Sequence, residues 1–222
     1  MAAPRAILSW SSGKDAAFAL HEARRLGLAE IAGLLTVVNE VHRRVAMHTV
    51  RDTLLERQAQ AAGLPLIRVA IPDPCPDEVY AARMAAAMER VKADGIHHVV
   101  FGDLFLEDVR RYREEQLAGA GMAAIFPLWR RDTRELAGEM IASGLVAHLT
   151  CIDPKQIPAA LAGRRFDASL LADLPAGADP CGENGEFHTF VSAGPMFSAP
   201  IAAEIGETVV RDGFVFTDMI PA

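Results

Sequence analysis

A chain of 222 residues, 51% apolar and 23% charged, can bury a real core as one large domain or two small ones. Its net charge of −7 argues against stable binding to a nucleic-acid backbone, and no apolar run approaches the ~20 residues of a membrane helix. Three cysteines, Cys75, Cys151 and Cys181, are few and odd in number, which argues for a reducing, cytoplasmic setting and against a disulfide framework.

The N-terminus has one early arginine and no long apolar core before a cleavage site, so no signal peptide is expected. An apolar strand, Ala6 to Trp10, leads into Ser11-Ser12-Gly13-Lys14-Asp15. A helix with Ala16, Ala19, Leu20, Ala23 and Leu26 at helical spacing leads out and stops at Gly27. Ile31 to Val38 reads as a strand covered on both faces. Residues 39–48 form a polar connection with some strand character. A helix from Arg51 to Ala62 is closed by Gly63 and Pro65, and Leu66 to Ile71 is the third strand.

Pro72, Pro74 and Pro76 mark a rigid loop, and Asp77 is expected to cap the next helix. That helix should bury Tyr80, Met84, Ala87, Met88 and Val91 before Gly95. Ile96 to Phe101 is the fourth strand and ends in Gly102-Asp103. A charged helix from Glu107 to Ala120 is expected to face inward with Val109, Tyr112, Gln116 and Leu117. A short strand, Ala123 to Phe126, precedes Pro127-Leu128-Trp129, a helix from Thr133 to Ser143 and a strand from Leu145 to Thr150. This alternation predicts an α/β fold with a mostly parallel sheet. Ligands bind such sheets beyond the C-terminal strand ends, where Ser11, Asn39, Asp103 and Asp153 are all expected. After Asp153 the rhythm breaks into a Pro/Gly-rich stretch, and residues 208–217 read as a hairpin turning at Asp212-Gly213.

Two stretches carry chemistry. Small residues at the strand–helix junction after Trp10 let the backbone approach a ligand, and the N–H groups of the new helix then point at an anion. A Walker A loop would need Gly at Leu8 and Ser or Thr at Asp15, so that reading fails. Ser11-x-x-Lys14 fits the motif of penicillin-binding enzymes, but its partner motifs are missing. An ordinary turn capped by Ser12 or Asp15 remains the plain alternative. The second stretch is Gly182 to Thr189, where Glu183 and Glu186 sit between glycines beside His188. Carboxylates so placed can bind an ammonium, move protons or ligate Mg²⁺; a surface turn is the plain alternative. Asp103, Glu107 and Asp108 form an acidic group ahead of Arg110, Arg111 and Arg113, and Glu107 with Arg111 suits a helix-surface ion pair. There is no Cys-x-x-Cys or His-x-x-x-His pair for a structural zinc.

Together these pieces resemble the diphthine–ammonia ligase family, within the N-type ATP pyrophosphatase (PP-loop) superfamily. The resemblance rests on Ser11 to Asp15, on Gly102-Asp103 with Glu107 to Arg110, on Pro127-Leu128-Trp129, and on Gly182 to Thr189. It implies a Rossmann-like, adenine nucleotide alpha hydrolase-like ATP-binding domain over residues 1–126. A smaller α+β substrate-binding part, residues 127–222, would face it across a cleft. It further implies that a substrate carboxylate is adenylated with release of pyrophosphate, and that ammonia then displaces AMP. On that reading Ser11, Ser12, Gly13, Lys14 and Asp15 hold the pyrophosphate, and Leu35, Thr36, Val37 and Gly102 lie beside the nucleotide. Lys14, Asp15, Asp103, Glu183 and Glu186 are the catalytic set, Asp15 also meets Mg²⁺, and Glu107, Arg110, Glu183, Glu186 and His188 face the substrate. A symmetric homodimer is a family-level expectation. Two positions depart from the loop motif: Ser12 stands for its middle Gly, and Ala16 for its last Ser. Two other functions remain open: sulfur transfer to tRNA through Cys151 and Cys181, and a nucleotide sensor without turnover.

Overall fold

Five apolar runs line up side by side and point the same way. The computed structural model describes residues 2–45 and 48–222. Its first sheet contains β1 (Arg5–Ser9), β2 (Glu30–Asn39), β4 (Leu66–Ile71), β5 (His98–Val100) and β6 (Ala123–Ile125), all paired in parallel. Across the sheet they run β4-β2-β1-β5-β6. The short β3 (Arg44–Val45) pairs antiparallel with the end of β2. Chain order therefore reverses at β1, and the crevice beyond β1 and β5 is the topological switch point where open α/β sheets bind ligands. Ser11 and Asp103 both follow strands at that crevice.

Helices α1 (Lys14–Arg25), α2 (Asp52–Ala62), α3 (Asp77–Ala93) and α4 (Glu107–Gly119) make the crossovers. Alternation along β1 assigns its two faces. Ala6, Leu8 and Trp10 share a core cluster with the buried residues of α1 and α2. Ile7 joins Leu35, Val69, Met88, Val91 and Leu117 in a second cluster with α3 and α4. The first cluster continues without a break into the C-terminal half, through Leu136, Leu149, Phe166, Phe187 and Phe190. That half holds α5 (Thr133–Ala142), α6 (Ala168–Asp173) and an antiparallel sheet ordered β8-β7-β10-β9. Its strands are β7 (Val146–Ile152), β8 (Phe187–Ala193), β9 (Ala203–Arg211) and β10 (Phe214–Pro221). Asp212 and Gly213, at φ of 51° and 84°, make the turn of the β9–β10 hairpin.

The α/β class holds, with corrections. β7 belongs to the antiparallel sheet, because it pairs with β8 and β10 rather than β6. Asp153 follows β7 and so does not lie at the edge of the parallel sheet. Asp77 is the first residue of α3, not its cap; Pro76 holds the cap position. Tyr80, Tyr112 and Gln116 are exposed, and of the inward set expected on α4 only Leu117 is buried. α3 and α4 thus cover their face of the sheet thinly. Glu107 pairs with Arg130 rather than Arg111, and Arg110 pairs with Glu114.

Gly102 makes the switch point tight. A Cβ there would fall 2.7–2.9 Å from the backbone of Asp15 and Ala16. The end of β5 thus touches the first turn of α1, which only glycine permits. We expect Gly102→Ala to destabilise the fold by about 2 kcal/mol, as overpacking against backbone does; urea unfolding measures it, and an unchanged midpoint would show that the contact is slack.

Candidate active site

The loop between β1 and α1 is stitched to β8 from three sides. The Val191 N–H donates to Ser12 O at 3.0 Å. The buried Gln58 side chain donates to Ser12 O (3.1 Å) and Val191 O (2.7 Å) and accepts from Trp10 Nε1 (3.0 Å). The Lys14 N–H donates to Thr189 Oγ1 at 3.0 Å. Gly13 is the N-cap of α1 and has no side chain to cap with. The Thr189 hydroxyl caps the first turn in its place, and the positive end of the helix dipole faces the crevice.

Lys14 does not reach into open space. Only 2% exposed, its Nζ donates to both Asp15 carboxylate oxygens at 2.9 Å and to Cys181 O. It also sits 5.3 and 5.6 Å from the ring centroids of Phe187 and Phe166. Burial pulls its pKa down, but the Asp15 carboxylate and other acidic neighbours outweigh that and hold it above the ordinary lysine value. Lys14 thus stays charged through neutral pH, as a strut that ties the loop to the C-terminal half.

Glu183 closes the crevice from the other side. Its Oε1 accepts from the Leu104 N–H at 2.7 Å. Burial pushes its carboxyl up to about 7, helped by Asp15 and Asp103 against the pull of the Leu104 hydrogen bond. Asp103 pairs with Arg113 at 2.9 Å, and the Arg113 guanidinium lies 4.4 Å over the Phe101 ring. His188 meets His48 with ring centroids 4.6 Å apart. Burial chiefly, with Lys14 nearby, drives His188 down to about 4, and burial with the neighbouring His188 drives His48 down to about 3.

These groups line a polar cavity of about 240 Å³. It adjoins an apolar cavity of about 620 Å³ between the sheet, α3 and α4, with Ser9, Ser11, Phe101 and Arg113 common to both. Ser11, Lys14, Asp15, Gly102, Asp103, Glu183 and His188 of the expected set face the polar cavity. Leu35 and Val37 face the apolar one, with Ser11 at the junction. Thr36 is buried beneath, its hydroxyl donating to Trp10 O at 2.8 Å. Ser12 lies under the loop, and Gly13 packs beside His48.

Like Ser12, Gly13 and Thr36, three more expected residues line neither cavity. Glu107 is tied to Arg130 at the surface, and Arg110 stacks over Phe126 and Trp129. Glu186 is 1% exposed and points into its own loop, accepting from the Asp179 N–H (2.8 Å) and Asn184 Nδ2 (3.1 Å). It shapes the segment that carries Glu183. Conversely, the sequence reading assigned no role to His48, Gln58, Arg113 or Thr189. His48 sits in a polar connection without periodicity, and Gln58 looks like any helix residue, so no local signal marked them.

Two family models match the chain: the diphthamide synthase N-terminal domain over residues 4–123 and the diphthamide synthase C-terminal domain over residues 132–217. The chain belongs to the diphthamide synthase family. Its relatives include the diphthine–ammonia ligase of Danio rerio, 27% identical over 93% of this chain and 89% of the relative. The human diphthine–ammonia ligase is 25% identical over 93% and 85%, and that of Rattus norvegicus 28% over 50% and 44%. The resemblance drawn from four sequence motifs is thus the right one.

Within this diphthamide synthase fold the described residues build no all-protein cage for Mg²⁺. Both Asp15 oxygens are taken by Lys14, and no group of three or more potential ligands exists among the described residues. Neither cysteine of the sulfur-transfer reading lines either of these two cavities. Burial pushes the Cys151 thiol up to about 11 and the Cys181 thiol further up, so both stay protonated and poorly nucleophilic. No helix among the described residues is long and apolar enough to cross a membrane.

Ser12 sits at φ 72°, in the left-handed region that favours the glycine of the loop motif, and its buried hydroxyl has no partner among the described residues. Relief of that strain and of the unpaired hydroxyl outweighs the extra freedom of an unfolded glycine. Ser12→Gly is expected to stabilise the protein by about 1 kcal/mol in denaturant titration.

Glu183 makes a pH-dependent contribution of definite sign. Its folded pKa of about 7 lies above the ordinary glutamate value of 4.5, so ionisation costs stability as pH rises through that window. Below the window both folded and unfolded forms are protonated and the cost vanishes. Glu183→Gln keeps the acceptor for Leu104 and should match the wild type near pH 4, then exceed it by about 2 kcal/mol at pH 8, allowing for solvent screening. Equal stability of the two proteins at pH 8 would contradict the buried placement.

Proposed function

We propose that this chain is an ATP-dependent amide ligase of the diphthine–ammonia ligase kind. The observation that carries the reading is the convergence of the positive end of α1 and of the Glu183 carboxyl, its pKa raised toward neutrality, on one polar cavity. That cavity opens into an apolar one at the switch point. The two cavities match the two ends of a nucleotide. Leu35, Val37 and the α3–α4 side take the base, while Ser11, Gly13 and the first turn of α1 take the phosphates.

The chain's residues then divide the work. Lys14 holds the loop in shape, and its charge adds to the positive end of α1. Arg113, at the junction of the cavities, stands where negative charge develops on the α-phosphate. The carboxylate of the acid attacks the α-phosphorus, a P–O bond forms, the α–β bridge breaks and pyrophosphate leaves. Ammonia displaces AMP from the acyl carbon and leaves an amide. Glu183, with a pKa near neutrality, takes the proton that nitrogen sheds. Gly102 and Asp103 bring the end of β5 against the loop, and His188 borders the acid from the C-terminal side.

The relatives' name specifies ammonia as co-substrate, and extension to this chain rests on their modest identity together with the cavity chemistry. Sulfur transfer lacks a reactive thiol in either cavity. The deciding experiment is a screen of carboxylic acids with ATP, magnesium and ammonia, scored for pyrophosphate and AMP. At least one acid is expected to give both products in equal amounts, with an amide formed. ADP as the sole nucleotide product would overturn the ligase reading, and tight ATP binding without any turnover would favour a sensor.

A further inference from the structure

Two imidazoles meet across the polar cavity, one from each half of the chain. His48 lies between β3 and α2, and His188 lies on β8. Their ring centroids are 4.6 Å apart with the planes at 44°, and both rings line the cavity. His48 Nδ1 lies 3.4 Å from Thr189 O. A carbonyl oxygen only accepts, so Nδ1 carries the proton of the neutral ring and Nε2 is the basic nitrogen. The same ring packs on the loop backbone: a Cβ on Gly13 would come within 3.0 Å of His48 Cε1 and 3.3 Å of its Nδ1. The His48 ring therefore borders the place assigned above to the phosphates, and Nε2 is its one nitrogen free to take a proton.

We propose that the His48–His188 pair is the proton store of this site: His48 Nε2 takes up a proton as polyphosphate enters and hands it to pyrophosphate as the α–β bond breaks. The proposal rests on the nucleotide reading and adds a proton donor to it. The charged groups facing the pair are Lys14, Asp15, Asp103, Arg113 and Glu183. Without an anion, burial and the Lys14 charge keep both rings neutral. A polyphosphate brings several negative charges into the same poorly solvated space and reverses that field. One ring of a contacting pair accepts the proton, because a second would meet a like charge. When the α–β bridge breaks, the Nε2–H bond breaks with it. Its proton goes to a pyrophosphate oxygen, its electron pair stays on Nε2, and the ring returns to neutral without any further reactant.

The test is calorimetric titration with magnesium–ATP at pH 7.5 in buffers of different ionisation enthalpy. The wild type should take up about one proton per ATP bound. His48→Gln should lose most of that uptake, while His97→Gln, at an exposed position outside the cavity, should keep it. On the unmutated protein, nitrogen-15 spectra should show His48 Nε2 moving from the unprotonated to the protonated range as ATP is added; a packing role alone would leave it unmoved. ATP binding without proton uptake, or an unchanged Nε2 signal, overturns the proposal while leaving the nucleotide reading intact. Failure to bind ATP at all overturns both.

Discussion

The buried ammonium of Lys14 is the constraint on which the rest of the site depends. A charge held out of water is costly unless it is paired and hydrogen-bonded. Here the carboxylate of Asp15 and the carbonyl of Cys181 supply those partners, with two aromatic faces around them. The partners come from both halves of the chain, so the charge is satisfied only when the C-terminal half is docked. The same docking presses β8 against Ser12 and supplies the Thr189 hydroxyl to the first turn of α1. The loop between β1 and α1 is thus shaped as much by residues 179–191 as by its own sequence.

Once the two halves close, desolvation tunes the groups they enclose in opposite directions. A carboxyl loses stability as an anion and an imidazole as a cation, so Glu183 rises toward neutrality while His48 and His188 fall well below it. An empty cavity therefore holds neutral imidazoles and a half-ionised acid beside the fixed positive end of a helix. The neighbouring apolar cavity exists because α3 and α4 cover the sheet thinly, with exposed Tyr80 and Tyr112 where a tighter helix pair would have closed the gap.

Much of this was legible in the chain. Apolar runs bounded by glycine and proline marked the parallel strands closely, with β4 matching its expected bounds residue for residue. The Asp212-Gly213 turn and the small-residue loop after β1 were readable because local backbone chemistry dictates them. Long-range pairing was less legible. β7 follows a helix as a parallel strand would, yet its partners are β8 and β10, chosen by hydrogen bonding to segments far along the chain. α4 has an apolar spacing that suggests an inward face, but its charge leaves it mostly at the surface. Glu183 and Glu186 look equivalent in sequence; backbone direction sends one into the cavity and the other into its own loop.

By itself the sequence determined the alternation of strand and helix, the small-residue loop that starts α1 and the family to which the chain belongs. These rest on periodicity, glycine placement and motif order, which are local or ordered along one dimension. Only the tertiary structure decided that Lys14 is a strut, that both Asp15 oxygens accept from it, that Arg113 stands between two cavities and that His48 meets His188. Each of those facts depends on which groups are brought together and shielded from water, and burial is a property of the packed chain rather than of any stretch within it.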